Sequence, residues 1–159
     1  MNMLKKQTVG SCFAAVTLLL GIVSFIFYGA NVAGQGYFHG ASVDVAVRYM
    51  VLGIALGVCV LVLSNIPLKD GVAKVITFVS DIGRIAIPAL MIAALLTIVS
   101  ARVEGFAFIY FSNAEVLQEV QTPANISSAH GAIANIVCLG VTAVVGIIGA
   151  FFSTRKAEQ

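Results

Sequence analysis

The sequence predicts an all-α integral membrane protein: a four-transmembrane-helix bundle with both termini cytoplasmic and a short outer helix between the third and fourth spans. Three observations lead there. The chain of 159 residues is 60% hydrophobic and only 10% charged, whereas a soluble domain carries about 25% charged residues; mean hydropathy is +1.03. The apolar residues gather in four stretches, 8–30, 45–66, 72–103 and 129–153, each near or above the roughly 20 residues that cross a bilayer as a helix. Basic residues concentrate on one side of these stretches. Hydrocarbon offers the backbone no hydrogen-bond partner, so helices are the expected spanning form. The 10-residue alternation of a transmembrane barrel is absent. Residues 1–159 read as a single membrane domain.

The first stretch follows Lys5 and Lys6 and ends near Ala30 and Ala33. It is longer than the apolar core of a signal peptide, so it reads as a retained first helix. Its small residues Gly10, Ala14, Thr17, Gly21 and Ser24 recur at helical spacing and mark a packing face, because membrane helices associate by close approach. The next loop, NVAGQGYFHGASVD, is glycine-rich. It lacks the GK[ST] of a phosphate-binding loop. Asp44 and Arg48 are spaced for an i, i+4 pair at the head of the second stretch, which carries Gly53 and Gly57 as a GxxxG pair.

The third stretch holds two features. Ala86, Ala89, Ala93, Thr97 and Ser100 form a small stripe expected to face the bundle. Asp81 and Arg84 fall roughly opposite it at 100° per residue, on a face continued by Pro88, Met91 and Leu95. The pair is therefore expected to point away from the seam, toward the inner interface or toward a docking partner. The fourth stretch has a continuous small or polar stripe: Gly131, Asn135, Cys138, Thr142, Gly146, Gly149 and Ser153. Gly53, Gly57, Gly131, Asn135, Gly146 and Gly149 are the expected helix-packing residues.

Segment 104–128 is the largest expected outer region. Phe106, Phe108, Ile109, Tyr110 and Phe111 form an aromatic-rich run. Ser112-x-x-Glu115 matches a capping box, which predicts a short helix from Asn113 to about Gln121, ended before Pro123. Glu115 and Glu119 share one of its faces. Large apolar patches mark interaction sites, so Phe106, Phe108, Tyr110, Phe111, Glu115 and Glu119 join Asp81 and Arg84 as expected partner-contacting residues.

Orientation follows the positive-inside rule. Lys5, Lys6, Lys69, Lys74, Arg155 and Lys156 lie on one side, and Arg48 and Arg102 with Asp44, Glu104, Glu115 and Glu119 on the other. The expected location is a plasma (inner) membrane. The four tyrosines then fall on the outer side, as an interfacial aromatic belt does. Asn125-Ile-Ser127 on that side matches a glycosylation acceptor.

A net charge of +2 without a basic run excludes nucleic acid as an expected partner. Cys12, Cys59 and Cys138 are scattered among the helices, with no redox or zinc spacing. His39 and His130 have no zinc signature and sit too near one edge for haem ligation. No cofactor, metal or catalytic residue is expected. The size resembles that of the membrane-associated glutathione and eicosanoid enzymes, but their Arg-x-x-x-Asn-x-x-Glu pattern is absent. Small multidrug transporters are similar in size, but the glutamate of their first helix has no counterpart here. The expected function is a non-catalytic membrane subunit or scaffold that contacts the lipid bilayer and a protein partner or its own copies. The alternative is a small oligomeric channel or transporter lined by Thr17, Thr97, Asn135 and Thr142. A lesser one is a membrane anchor of a redox enzyme using His39 and His130.

Overall fold

The structure, a computed structural model, describes residues 8–65 and 70–153, with side chains except at 70–73. Lys5, Lys6, Lys69, Arg155 and Lys156, on which the expected orientation rests, lie outside the described residues.

Five helices follow in order: α1 Val9–Ala33, α2 Asp44–Asn65, α3 Asp70–Phe111, α4 Ala114–Val120 and α5 Pro123–Ala150. Four are long and apolar enough to cross a membrane. Local signals set several boundaries. Thr8 caps α1 by accepting a hydrogen bond from the Ser11 amide at 3.3 Å. Thr122 caps α5 in the same way from Asn125 N, and Pro123 occupies the first turn, where a missing N–H costs nothing.

The four long helices form a ring in which α1 packs on α2 and α5, and α3 packs on α2 and α5. Every neighbouring pair is antiparallel. At one end, Gly10 of α1 lies against the backbone of Phe152 and Ser153. At the other, Asn31 bonds the Ser128 carbonyl and Phe38 bonds the Ser128 hydroxyl. The first is called here the terminal end, because α1 begins and α5 finishes there. The second is the connection end, which carries the α1–α2 and α3–α5 connections. The core between them holds Tyr28, Met50, Met91, Ile98 and Leu139, with Ala46, Ala94 and Ala143 where helices come closest.

Glycine makes the close seams possible. A side chain at Gly149 would meet Phe13 Cβ at 2.8 Å, and one at Gly57 would meet Leu18 Cδ1 at 3.1 Å. Gly53 faces the tip of Met91, while Gly146 faces Pro88 and Thr17 at 3.2 Å. Gly131 lies under Asn31. Asn135 is 1% exposed. The stripes of the first and fourth apolar stretches thus lie in seams within one chain.

Three expectations are corrected. First, α3 does not stop at 103 but runs to Phe111, and α5 begins at Pro123 rather than at 129. Segment 104–128 is therefore helical over most of its length. Gly105, read as the start of an aromatic loop, sits inside α3. It has no side chain because the Tyr37 and Phe38 rings occupy that space, 2.7 Å and 2.5 Å from where a Cβ would stand. Second, the Ser112 capping box does not form. Asn113 caps α4 instead, its Oδ1 accepting from Val116 N at 3.0 Å. Ser112 donates back to the Phe108 carbonyl at 2.8 Å and so completes the last turn of α3. Asn and Ser are equally good caps, so the register was decided by where α3 ran out.

Third, the faces of α3 are reversed. Arg84, Ile87, Pro88, Met91, Ala94 and Ile98 face the core, while Ala89 and Ser100 are exposed and Ala86, Ala93 and Thr97 are half-buried. Of the small stripe, only Ala89 and Ser100 face fully outward. The reason is volume. Glycines on α2 and α5 open a central gap, and the bulky Met91 and Pro88 of α3 fill it.

Candidate functional site

Arg84 and Arg102 define the two ends of one buried face of α3. They are separated by about five helical turns, a rise of about 27 Å, so they point the same way. That rise nearly matches the roughly 30 Å of a hydrocarbon core. Arg84 is 7% exposed and Arg102 is 2% exposed.

At the terminal end, the Arg84 guanidinium donates from Nη2 to the carbonyls of Gly149 and Phe152. Its Nη1 is 3.3 Å from Asp81 Oδ1, while the Asp81 side chain stays 54% exposed. The Gly149 carbonyl also accepts from the Phe152 amide at 3.2 Å, so Arg84 adds a further donor at the finish of α5, and a cation there complements the helix dipole. Arg84 is thus a cap supplied by another helix. Phe152, held by this contact, stacks on Phe13 of α1 with ring centroids 5.3 Å apart. The contact draws α1, α3 and α5 together at one level.

At the connection end, Arg102 Nη2 donates to the Ala41 carbonyl at 2.6 Å. Its guanidinium carbon lies 4.5 Å from the centre of the Phe38 ring, within the range of cation–π attraction. Phe38 is itself 2% exposed. It meets Tyr37 and Phe106 edge-on, at 5.3 Å and 5.6 Å. The Phe38 amide donates to Ser128 Oγ at 3.1 Å, and the Val43 amide donates to the Tyr28 hydroxyl. The glycine-rich connection between α1 and α2 is therefore strapped over the bundle. Gly36 and Gly40 take positive φ, 112° and 68°, which side-chain-bearing residues rarely adopt.

Between the arginines the polar groups mostly serve their own seams. Asn135 Nδ2 donates to the Ser24 carbonyl at 2.8 Å and to its hydroxyl at 3.1 Å. Its Oδ1 is buried without a partner among the described residues. The hydroxyls of Thr17, Thr97 and Thr142 each donate to the carbonyl four residues earlier. A cavity of about 20 Å³ lies among Gly21, Gly53, Gly57, Arg84, Met91 and Gly146, room for about one water molecule.

The other expected contact residues are scattered. Phe106 is half-buried under Phe38, Phe108 sits 5.7 Å from the Tyr37 ring, and Tyr110 is half-buried. Phe111 is 84% exposed at the end of α3. Glu115 and Glu119 are exposed on α4. His39 turns to the Gly34 carbonyl at 2.7 Å, and His130 is exposed. No group of three or more metal-ligating side chains occurs among the described residues. Sequence reasoning gave Arg102 no role beyond side assignment. Its signal was available, since an arginine about five turns after Arg84 on one helix must share its face.

No protein-family model matches this chain, and no curated protein or solved structure was found similar to it.

Proposed function

We propose that this chain is a non-catalytic four-helix membrane subunit or scaffold that assembles with its own copies or with a larger membrane or envelope partner. The observation that carries this reading is the pair of exposed small positions, Ala89 and Ser100, on the outer side of α3. Ala89 and Ser100 are exposed and Ala86 and Ala93 are half-buried. Ala89 and Ser100 leave gaps among the bulky exposed Ile85, Leu96 and Val103, and another helix gains close van der Waals approach at such gaps. Asp81, 54% exposed toward the terminal end of the same helix, adds a polar contact that a partner can meet. The two buried arginines support the reading in a second way: they are engaged in closing the ends of the bundle. The bundle is then a rigid body that offers its outer faces.

In this reading the apolar outer surface meets the lipid of a plasma (inner) membrane. The terminal end, flanked in sequence by Lys5, Lys6, Lys69, Lys74, Arg155 and Lys156, is cytoplasmic. The test is native mass spectrometry of protein extracted gently from its own membranes, beside an Ala89→Leu/Ser100→Leu variant. A defined larger assembly that the variant loses is the expected result. A wild-type monomer without partners overturns the reading.

A further inference from the structure

An open cleft of about 220 Å³ lies between the last turns of α1 and the first turns of α5, beside the connection end. On the measure by which about 10–15 Å³ holds one water, that is room for more than ten. Its polar wall is built from Asn31, Gln35 and Ser127, and its apolar wall from Phe27 and Ala30.

Asn31 is held in a fixed sense. The Ser128 carbonyl only accepts, so the Asn31 atom 2.6 Å away must be the amide nitrogen. Asn31 therefore presents its oxygen as the remaining pole. Gly131 keeps it there, because a Cβ at that position would stand 2.7 Å from Asn31 Nδ2. Gln35 and Ser127 are exposed in the cleft, and each both donates and accepts. None of the residues lining the cleft is charged. An ionic headgroup would lose hydration there with no counter-charge to replace it. Hydroxyl groups, which both donate and accept, match all three polar side chains.

Position supplies the second half of the argument. The cleft lies at the last turns of α1, whose apolar span finishes at Ala33, so this level is the edge of that span. Phe27, 44% exposed, borders the apolar side of the cleft, and Gln35 lies beyond the end of α1. The cleft thus grades from apolar to polar across the level where a lipid headgroup joins its chains.

We propose that this cleft binds the uncharged, hydroxyl-rich headgroup of a membrane glycolipid, with Asn31, Gln35 and Ser127 bonding its hydroxyls and Phe27 packing at its chain side. The inference does not depend on the assembly reading. It is tested with the full chain reconstituted in phosphatidylcholine vesicles containing a minor fraction of either monoglucosyl diacylglycerol or phosphatidylglycerol. Lipid retained after detergent extraction is then weighed by native mass spectrometry. The expected result is selective retention of the glucosyl lipid. A Gln35→Leu/Ser127→Ala variant should lower that retention about fivefold or more, as the loss of two neutral hydrogen bonds requires. Both positions are exposed, so helical content by circular dichroism stays unchanged and folding is controlled. Methyl glucoside serves as competitor. Loss of retained glucosyl lipid in excess methyl glucoside supports recognition of the headgroup hydroxyls, whereas methyl glucoside binding as tightly as the lipid assigns the cleft to a soluble sugar and overturns the lipid. Equal retention of phosphatidylglycerol, or unchanged retention in the variant, overturns the proposal.

Discussion

Arg84 shows how a charge stays inside an apolar bundle. Its hydrogen bonds to helix-end carbonyls are charge-assisted, and such bonds are about twice as strong as neutral ones. The ion pair with Asp81 adds less, because that carboxylate is 54% exposed and screened by solvent. The two partners should therefore respond differently to mutation. Arg84→Met is expected to cost about 2–3 kcal/mol, since it removes two charge-assisted hydrogen bonds at the finish of α5. Asp81→Asn is expected to cost under about 1 kcal/mol. Thermal unfolding of both variants in one detergent checks the order. Equal losses would mean that the ion pair, not the cap, holds the end together. The sequence made Asp81 and Arg84 conspicuous but not their separation of roles. Three residues on a helix fix the angle between two side chains, and only the position of α5 shows which of them is inside.

At the scale of the element, glycines of similar sequence context do opposite things. Gly149 has Phe13 Cβ 2.8 Å from where its own Cβ would stand, while Gly29 and Gly140 have nothing within 4 Å. Alanine favours a helix over glycine by about 1 kcal/mol. Gly29→Ala and Gly140→Ala should each stabilise by up to about 1 kcal/mol, and Gly149→Ala should destabilise by about 1–3 kcal/mol through overpacking. Melting temperatures of the three variants decide this. A gain for Gly149→Ala would mean that the α1–α5 seam yields easily. Spacing marked which glycines share a face. It did not mark which of them touch a neighbour, because that depends on where helices cross. The length of α3 was hidden for a related reason. Its 42 residues rise about 63 Å, more than twice a hydrocarbon core. Its extension to Phe111 passes a glycine that looks like a breaker until the Tyr37 and Phe38 rings are seen beside it.

At the scale of the molecule, the ring of α1, α2, α3 and α5 places the start of α1 and the finish of α5 at one end. Single cysteines placed at exposed positions near both ends, in a background lacking Cys12, Cys59 and Cys138, report on sidedness. Labelling of intact cells by an impermeant thiol reagent is expected at Gln118 on α4 and not at Lys74. The reverse pattern would invert the proposed orientation. The assembly reading makes its own demand at this scale. Ala89→Leu/Ser100→Leu should leave the melting temperature of the isolated bundle nearly unchanged while removing larger species, because both positions are exposed.

The sequence by itself determined that four helices are long and apolar enough to cross a membrane. That follows from apolar length and from the backbone's need for internal hydrogen bonds, which any chain of this composition must meet. It also determined the seam faces of α1 and α5, because in both the small residues fall on the side that packs. Only the tertiary structure decided which face of α3 is inside. Small residues permit close approach but do not require it, and the gap left by the glycines of α2 and α5 is filled by whichever side chains have the volume. Met91 and Pro88 have it, so Arg84 and Arg102 turn inward with them and Ala89 and Ser100 turn out.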